Sequence, residues 1–512
     1  MPNIRRLIPW AMFASELVLT ALPRFDGHDQ RPIPVTGLTT GINNRTGELP
    51  TRWDINALEH EGGPRWDLYI QGLAALHNRM ETDERSHFSL AGESPVTIST
   101  QILGNEIQHI AARYNASHRN SSVYREAAQS FRLPYWDWAS NAQLPPSCAV
   151  LDVTVTSPQG PLTMRNPLYS YVWPTYPLNQ TQFPGSTSWA NETTRASDGK
   201  SDFSLSTVNA NLAAVAGQLK DQVYRTFAYA ETYDQMSSVA DPEGLSLEAP
   251  HNVIHNAVGG SFSSIDITAF DPLFMLHHAN VDRLAALWQA AHPGNTYQSQ
   301  TYASGGLYGT ARGENVTAES PVKPFYRTDG KTFHTGISTS SVEAFGYTYP
   351  ELQSQGSDQS ADIASRINSL YGNDYDDTTS MGQDWFVDVA ANRSELELPC
   401  NIDVHLGEVF AGRVSLLTMP MHGLGYAKVP LQRAIRGLNL NGIGRNALER
   451  VLRQQLQVDI VKGNGATIKP KDVSGIRLNL AVVGVVSRGN HSELAKYGNK
   501  RVVPISDWFG IG

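Results

Sequence analysis

The stretch FDPLFMLHHANVDR, residues 270–283, and the stretch EAPHNVIH, residues 248–255, decide how this chain is read. Asp271 followed by Pro272 is a strong helix start, because the carboxylate can cap free N–H groups and proline suits the first turn. The helix begun there carries His277 and His278 about two turns in, with Asp282 one turn beyond His278. In the shorter stretch His251 and His255 lie four residues apart, so on a helix both imidazoles share one face. A lone His-x-x-x-His pair is common by chance, and a single histidine on an apolar helix face is usually a packed core residue. Two such helices close together, the second with a histidine pair and an Asp-Arg, form a pattern that metal binding explains better. Three neutral imidazoles suit copper or zinc, and the spacing alone leaves both open.

Working outward, Cys148 and Cys400 are the only cysteines. That excludes a disulfide framework and any multi-cysteine zinc or iron–sulfur site. At 512 residues, 40% hydrophobic and 17% charged, the composition is that of a globular protein long enough for two domains. Residues 66–80, 102–114, 206–236 and 271–292 show apolar positions at helical spacing. Residues 140–205 are rich in Pro, Ser, Thr and Asn, with Tyr169, Tyr171, Trp173 and Tyr176 among them. They read as long irregular structure of the kind that shapes a site. The polar stretch 353–382 reads as a linker. Beyond it the period falls to two at 385–389, 402–406 and 478–486, which are expected strands, with one helix near 447–456. The expected architecture is a mainly α, four-helix-bundle core with long irregular loops over 33–352. A linker over 353–382 and a smaller β-rich C-terminal domain over 383–512 follow, with 1–32 as a leader or extension.

The net charge is −9, yet residues 401–512 carry 15 Lys and Arg against 7 Asp and Glu. The basic residues are scattered rather than clustered, so a nucleic-acid partner is not expected. A basic domain docking on an acidic one is the simpler reading. Arg5 and Arg6 precede an apolar stretch from Leu7 to Leu22, but Glu16 interrupts it and no clear cleavage site follows. It is too short and broken to span a membrane, and the weighing falls for the cytoplasm over secretion. No feature of the sequence specifies an oligomeric state.

The segments 251–255 and 270–283, together with PYWDW at 134–138 and FGYTYPE at 345–351, resemble fungal tyrosinases and related polyphenol oxidases. The resemblance runs from about Ile33 to the C-terminus and includes the β-rich tail. It implies two coppers, each held by three histidines, that bind dioxygen between them. Monophenols would be hydroxylated at the ortho position, and catechols oxidised to o-quinones. Carried over by position, His251, His255 and His278 resemble the ligands of the second copper, with His277 the less favoured of the adjacent pair. Glu248 and Asn252 resemble the carboxylate and amide that hold a water as general base toward the phenol; the plainer role for Glu248 is a helix N-terminal carboxylate. Asp282 is an expected acceptor for an imidazole N–H, and Asn256 with 259–267 is expected at the substrate mouth. The C-terminal domain resembles a lid.

The chain departs from the family at the first copper. After HFSLAG at 87–92 the family continues with three histidine motifs; here the sequence passes through 93–100 directly into Gln101 and the following helix, and no histidine lies between His87 and His109. The remaining N-terminal histidines, His28, His60, His77, His87, His109 and His118, fit none of the three motifs. A phenol- and dioxygen-using copper enzyme is the reading this supports. Its alternative is a non-catalytic paralogue or truncated isoform that binds one copper or none.

Overall fold

A computed structural model describes residues 33–510 except 94–95, 115–120, 181–182, 184–185, 187–188, 198–202, 296–299, 302–312, 354–357 and 373–381. The apolar stretch 7–22 lies outside the described residues. In the first part of the chain come α1 (Ile55–Glu61), α2 (Gly63–His77), α3 (His87–Glu93), α4 (Val96–Ala112) and α5 (Ser121–Gln129). They are followed by α6 (Leu205–Tyr229), α7 (Tyr233–Ser237), α8 (Glu248–Val258), α9 (Leu273–Ala291) and α10 (Gln359–Tyr371). One continuous buried cluster runs through these helices from Val35 to Tyr371. Helix α2 lies so close to α4 that a Cβ on Gly72 would sit 2.7 Å from Ile107 Cγ1. Only glycine lets the two backbones approach this far.

Within the stretch expected to be irregular, β1 (Asp152–Ser157) and β2 (Gly160–Arg165) form an antiparallel hairpin. Two short pairs follow: β3 (Gln300–Thr301) with β4 (Asn315–Val316), and β5 (Pro321–Tyr326) with β6 (Phe333–Thr335). The segment 353–382, expected as a linker, needs correction. Its central part is α10, whose Ile363, Ile367 and Tyr371 are fully buried in the helical core. Burying each such side chain contributes about 1.5–3 kcal/mol, enough to hold a polar-looking helix on the domain.

The C-terminal part contains β7 (Gln383–Asn392), β8 (Cys400–Leu406), β9 (Val409–Leu416), β10 (Leu424–Pro430), β11 (Leu456–Lys462), β12 (Thr467–Ile468), β13 (Ile476–Val486) and β14 (Lys496–Pro504). Two four-stranded antiparallel sheets result, ordered β10-β7-β13-β14 and β12-β11-β8-β9. Alternation places Val387 opposite Leu480 and Val389 opposite Leu478 on one face. These side chains meet Ile402, Val404, Val458 and Ile460 of the other sheet in a second core. Helices α11 (Gln432–Gly437) and α12 (Arg445–Gln455) lie beside it, and α12 contributes Leu448 and Leu452. A helical domain with a smaller β-rich domain is therefore the architecture.

The β domain docks on α6 and α8. Gln218 of α6 is buried, and its amide donates to the Arg413 carbonyl at 2.5 Å and accepts from the Arg413 N–H at 2.7 Å. One side chain thus covers the open edge of β9 as a neighbouring strand would. Lys500 meets Glu243 at 3.0 Å. Arg225 meets Asp384 at 3.1 Å, with the charges reversed relative to the overall balance. Leu245, Phe386, Ala481 and Val483 make a small apolar cluster between the domains. Docking is thus mixed in character, and not the work of opposite net charge alone. Among the described residues no helix is long and apolar enough to cross a membrane.

Candidate metal centre

Helix α8 begins with Glu248 and Pro250 in its first turn and ends at Gly259, φ +71°, with Gly260, φ +60°, beyond it. A Cβ on Gly260 would lie 2.5 Å from the Thr194 carbonyl oxygen, so the turn out of the helix requires glycine. Helix α9 starts as its sequence suggests: Asp271 accepts from the Leu273 N–H at 2.9 Å. The same carboxylate takes a two-pronged bond from Arg195, at 3.0 and 2.8 Å, with both partners buried.

These two helices bring His251, His255 and His278 together. The Nε2 atoms of His251 and His255 are 3.2 Å apart, and those of His251 and His278 are 3.3 Å apart. The opposite nitrogens fix the rings. His255 Nδ1 lies 2.7 Å from the Phe262 carbonyl oxygen, and His251 Nδ1 lies 2.8 Å from Asn252 Oδ1. An oxygen of either kind can only accept, so each Nδ1 must carry the proton and each Nε2 presents a lone pair. Lone pairs facing one another at this distance repel unless a cation lies between them. The rings are also held by stacking: Phe262 on His255 at 4.7 Å and Phe274 on His278 at 3.9 Å between centroids.

All four imidazoles here are buried, His277 included. Burial lowers the His255 pKa to about 4, against the opposing carbonyl bond. It pushes His251, His277 and His278 well below the ordinary histidine value, helped by the neighbouring rings. The cluster is therefore neutral at physiological pH, the protonation state a metal ligand requires. His251, His255, His277 and His278 form the one group of three or more potential ligands found among the described residues. His87 is used elsewhere, its Nε2 bonding the Phe270 carbonyl at 2.9 Å beside His77. No second triad stands among the described residues.

Glu248 accepts from Ser238 Oγ at 3.0 Å and from the Val239 N–H at 2.8 Å, and burial raises its pKa. It ties the start of α8 to the preceding loop. Asn252 turns toward His251 and also lines a small crevice with Val239, Arg413 and Tyr426 of the domain junction. Asn256 donates to Asn401 Oδ1 at 2.9 Å, across to the β domain.

Asp282 is a correction, since it bonds no imidazole. It accepts from Arg52 at 3.1 Å and from the hydroxyls of Tyr347 and Tyr349, both at 2.7 Å. Next to it, Arg283 pairs with Asp137 and Glu351 and donates to Tyr371 Oη. The segments around 135, 280 and 347 are thus one buried ionic lattice that fixes α9 and, with it, His278. The roles of Phe262 and Thr268 around His255 carry no signal in sequence, because a backbone carbonyl is available from any residue type.

The family model described as the common central domain of tyrosinase matches residues 102–291. The tyrosinase of Podospora anserina is 32% identical over 408 residues, spanning 66% of this chain and 69% of that protein. The tyrosinase of Neurospora crassa is 30% identical over 403 residues, spanning 66% of this chain and 58% of that protein. Among solved structures, recombinant mushroom tyrosinase superposes with a TM-score of 0.79 at 21% identity, covering 92% of this chain and 98% of the other. That likeness extends the shared fold through the C-terminal β domain.

Proposed function

The chain belongs to the tyrosinase family, and on that footing we propose that His251, His255 and His278 hold copper in a phenol- and catechol-oxidising enzyme that uses dioxygen. The observation that carries the reading is the convergence of three Nε2 atoms at 3.2 and 3.3 Å, with the protons of the His251 and His255 rings held on their other nitrogens. Copper, when bound there, supplies the redox chemistry; imidazoles without thiolates suit it. The protein's own residues orient the ligands and exclude water. Phe262 and Phe274 wall the triad with apolar surface, and the Phe262 carbonyl fixes the His255 tautomer.

In this reading Asn252 orients His251. Glu248, one helical turn before Asn252 on the same face, is the group that receives the phenol's proton. Support comes from its burial and raised pKa, which bring the carboxyl closer to the pH at which it can exchange a proton. The β domain packed on α6 and α8 is the cover through which a phenol must reach the site.

The test is copper-dependent dioxygen uptake with a catechol, measured on the chain as it is. A second sample has a family-like segment carrying three histidines inserted between Gly92 and Gln101. Uptake that is slow in the first, rises in the second, and is abolished in both by a copper chelator supports the reading. Uptake that persists undiminished in copper-free protein overturns it.

A further inference from the structure

His277 is not explained by the three-histidine site. It is fully buried, and neither of its ring nitrogens has a hydrogen-bond partner among the described residues. A neutral imidazole carries one donor and one acceptor, and burying both unmet is costly. The other site histidines with fixed tautomers have each found an oxygen for Nδ1. His277 instead lies among the rings of the triad: 4.8 Å from His251 with the planes nearly parallel, 4.9 Å from His255 and 5.0 Å from His278 between centroids. One nitrogen from each of the four rings lies within 4.8 Å of the others. Nitrogens opposed across an ion at bond lengths of about 2.0–2.1 Å stand about 4 Å apart, so small ring movements would close the set. The Trp138 ring lies 5.8 Å from it between centroids, an aromatic neighbour that offers its nitrogens no oxygen.

Resting on the copper reading above, we infer that this chain holds a single copper ion bound by four imidazoles, with His277 as the fourth ligand beside His251, His255 and His278. Two observations independent of each other point the same way. The described residues provide no second triad for a paired ion, and His277, fully buried with no hydrogen-bond partner among the described residues, stands against the three-histidine cluster. Four imidazole nitrogens are a donor set that Cu(II) accepts.

The experiment loads the full chain with Cu(II) and measures copper content, electron paramagnetic resonance and the pulsed nitrogen-coupling spectrum. Wild type and His277→Phe are compared, with circular dichroism as the folding control. One ion per chain, a signal integrating to all the copper present, and coupling to four imidazoles are expected. His277→Phe should keep the fold, lose one imidazole from the coupling pattern and bind copper at least about tenfold more weakly, some 1.4 kcal/mol. Three coupled imidazoles in wild type, an unchanged spectrum in the variant, or a spectroscopically silent pair of ions overturns the fourth-ligand assignment while leaving the copper reading intact. If the variant does not fold, the wild-type imidazole count decides. No bound copper at all overturns both.

Discussion

Asp282→Asn tests whether the buried lattice beneath α9 holds the histidines proposed to bind copper in place. Asp282 is fully buried and faces Arg52, whose side chain is 2% exposed, together with the hydroxyls of Tyr347 and Tyr349. Burial works against the Arg52 charge, but Tyr347, Tyr349 and Asp282 outweigh it and raise its pKa. The amide keeps the shape, removes the anion, and leaves a guanidinium with no counter-charge in the interior. Removing one partner of a buried pair costs about 3–5 kcal/mol. At about 2 °C per kcal/mol for a domain of this size, the unfolding midpoint should fall by about 6–10 °C. Because Asp282 lies one turn from His278, copper affinity should weaken as well. Scanning calorimetry with and without copper is the assay. A midpoint shift under about 2 °C, with affinity unchanged, would show that the lattice neither stabilises α9 nor positions His278.

Three further outcomes follow from the packing and the buried histidines. His87 is held neutral because burial lowers its pKa to about 4, so between pH 6.5 and 4 the unfolded chain binds the proton first. Its contribution is full above pH 6.5 and lost as the pH falls toward 4; in chemical denaturation, His87→Gln should reduce the loss between pH 7 and 4.5 by about 2–3 kcal/mol. Gly72→Ala should destabilise the helical domain by about 1–3 kcal/mol, since the new methyl meets Ile107 on α4; a neutral result would mean the helices part freely. Gln218→Ala leaves the Arg413 N–H and carbonyl without their bonds at the domain junction, at about 1–3 kcal/mol for each orphaned group. Limited proteolysis should then cut between the domains faster than in wild type, and an equal rate would show that Gln218 does not hold the cover.

The histidine cluster was legible because its geometry is written in spacing: His251 and His255 stand four residues apart, and a capped helix start precedes His278. Helix α9 was legible for the same reason, with Asp271 capping as its position suggests. Helix α10 was not, although Ile363, Ile367 and Tyr371 are spaced for one face. Ser, Gln and Asp around them give the stretch the composition of a linker, and the neighbouring surfaces of α9 and α6, where Tyr371 stacks on Phe227, make the helix worthwhile. The hairpin at 152–165 was hidden similarly, because much of it is exposed and its alternation is diluted by Thr, Ser and Pro. Asp282 was misassigned for a different reason. Helical spacing places it one turn from His278, but Tyr347 and Tyr349 arrive from far along the chain to claim it.

The central claim, that His251, His255 and His278 hold copper, is tested most directly by equilibrium copper titration of the wild-type chain beside His251→Ala and His255→Ala. The account predicts close to one tightly bound ion per chain in wild type and loss of tight binding in either variant, with the fold retained by circular dichroism. Wild-type affinity in both variants, or two ions per wild-type chain, would contradict it.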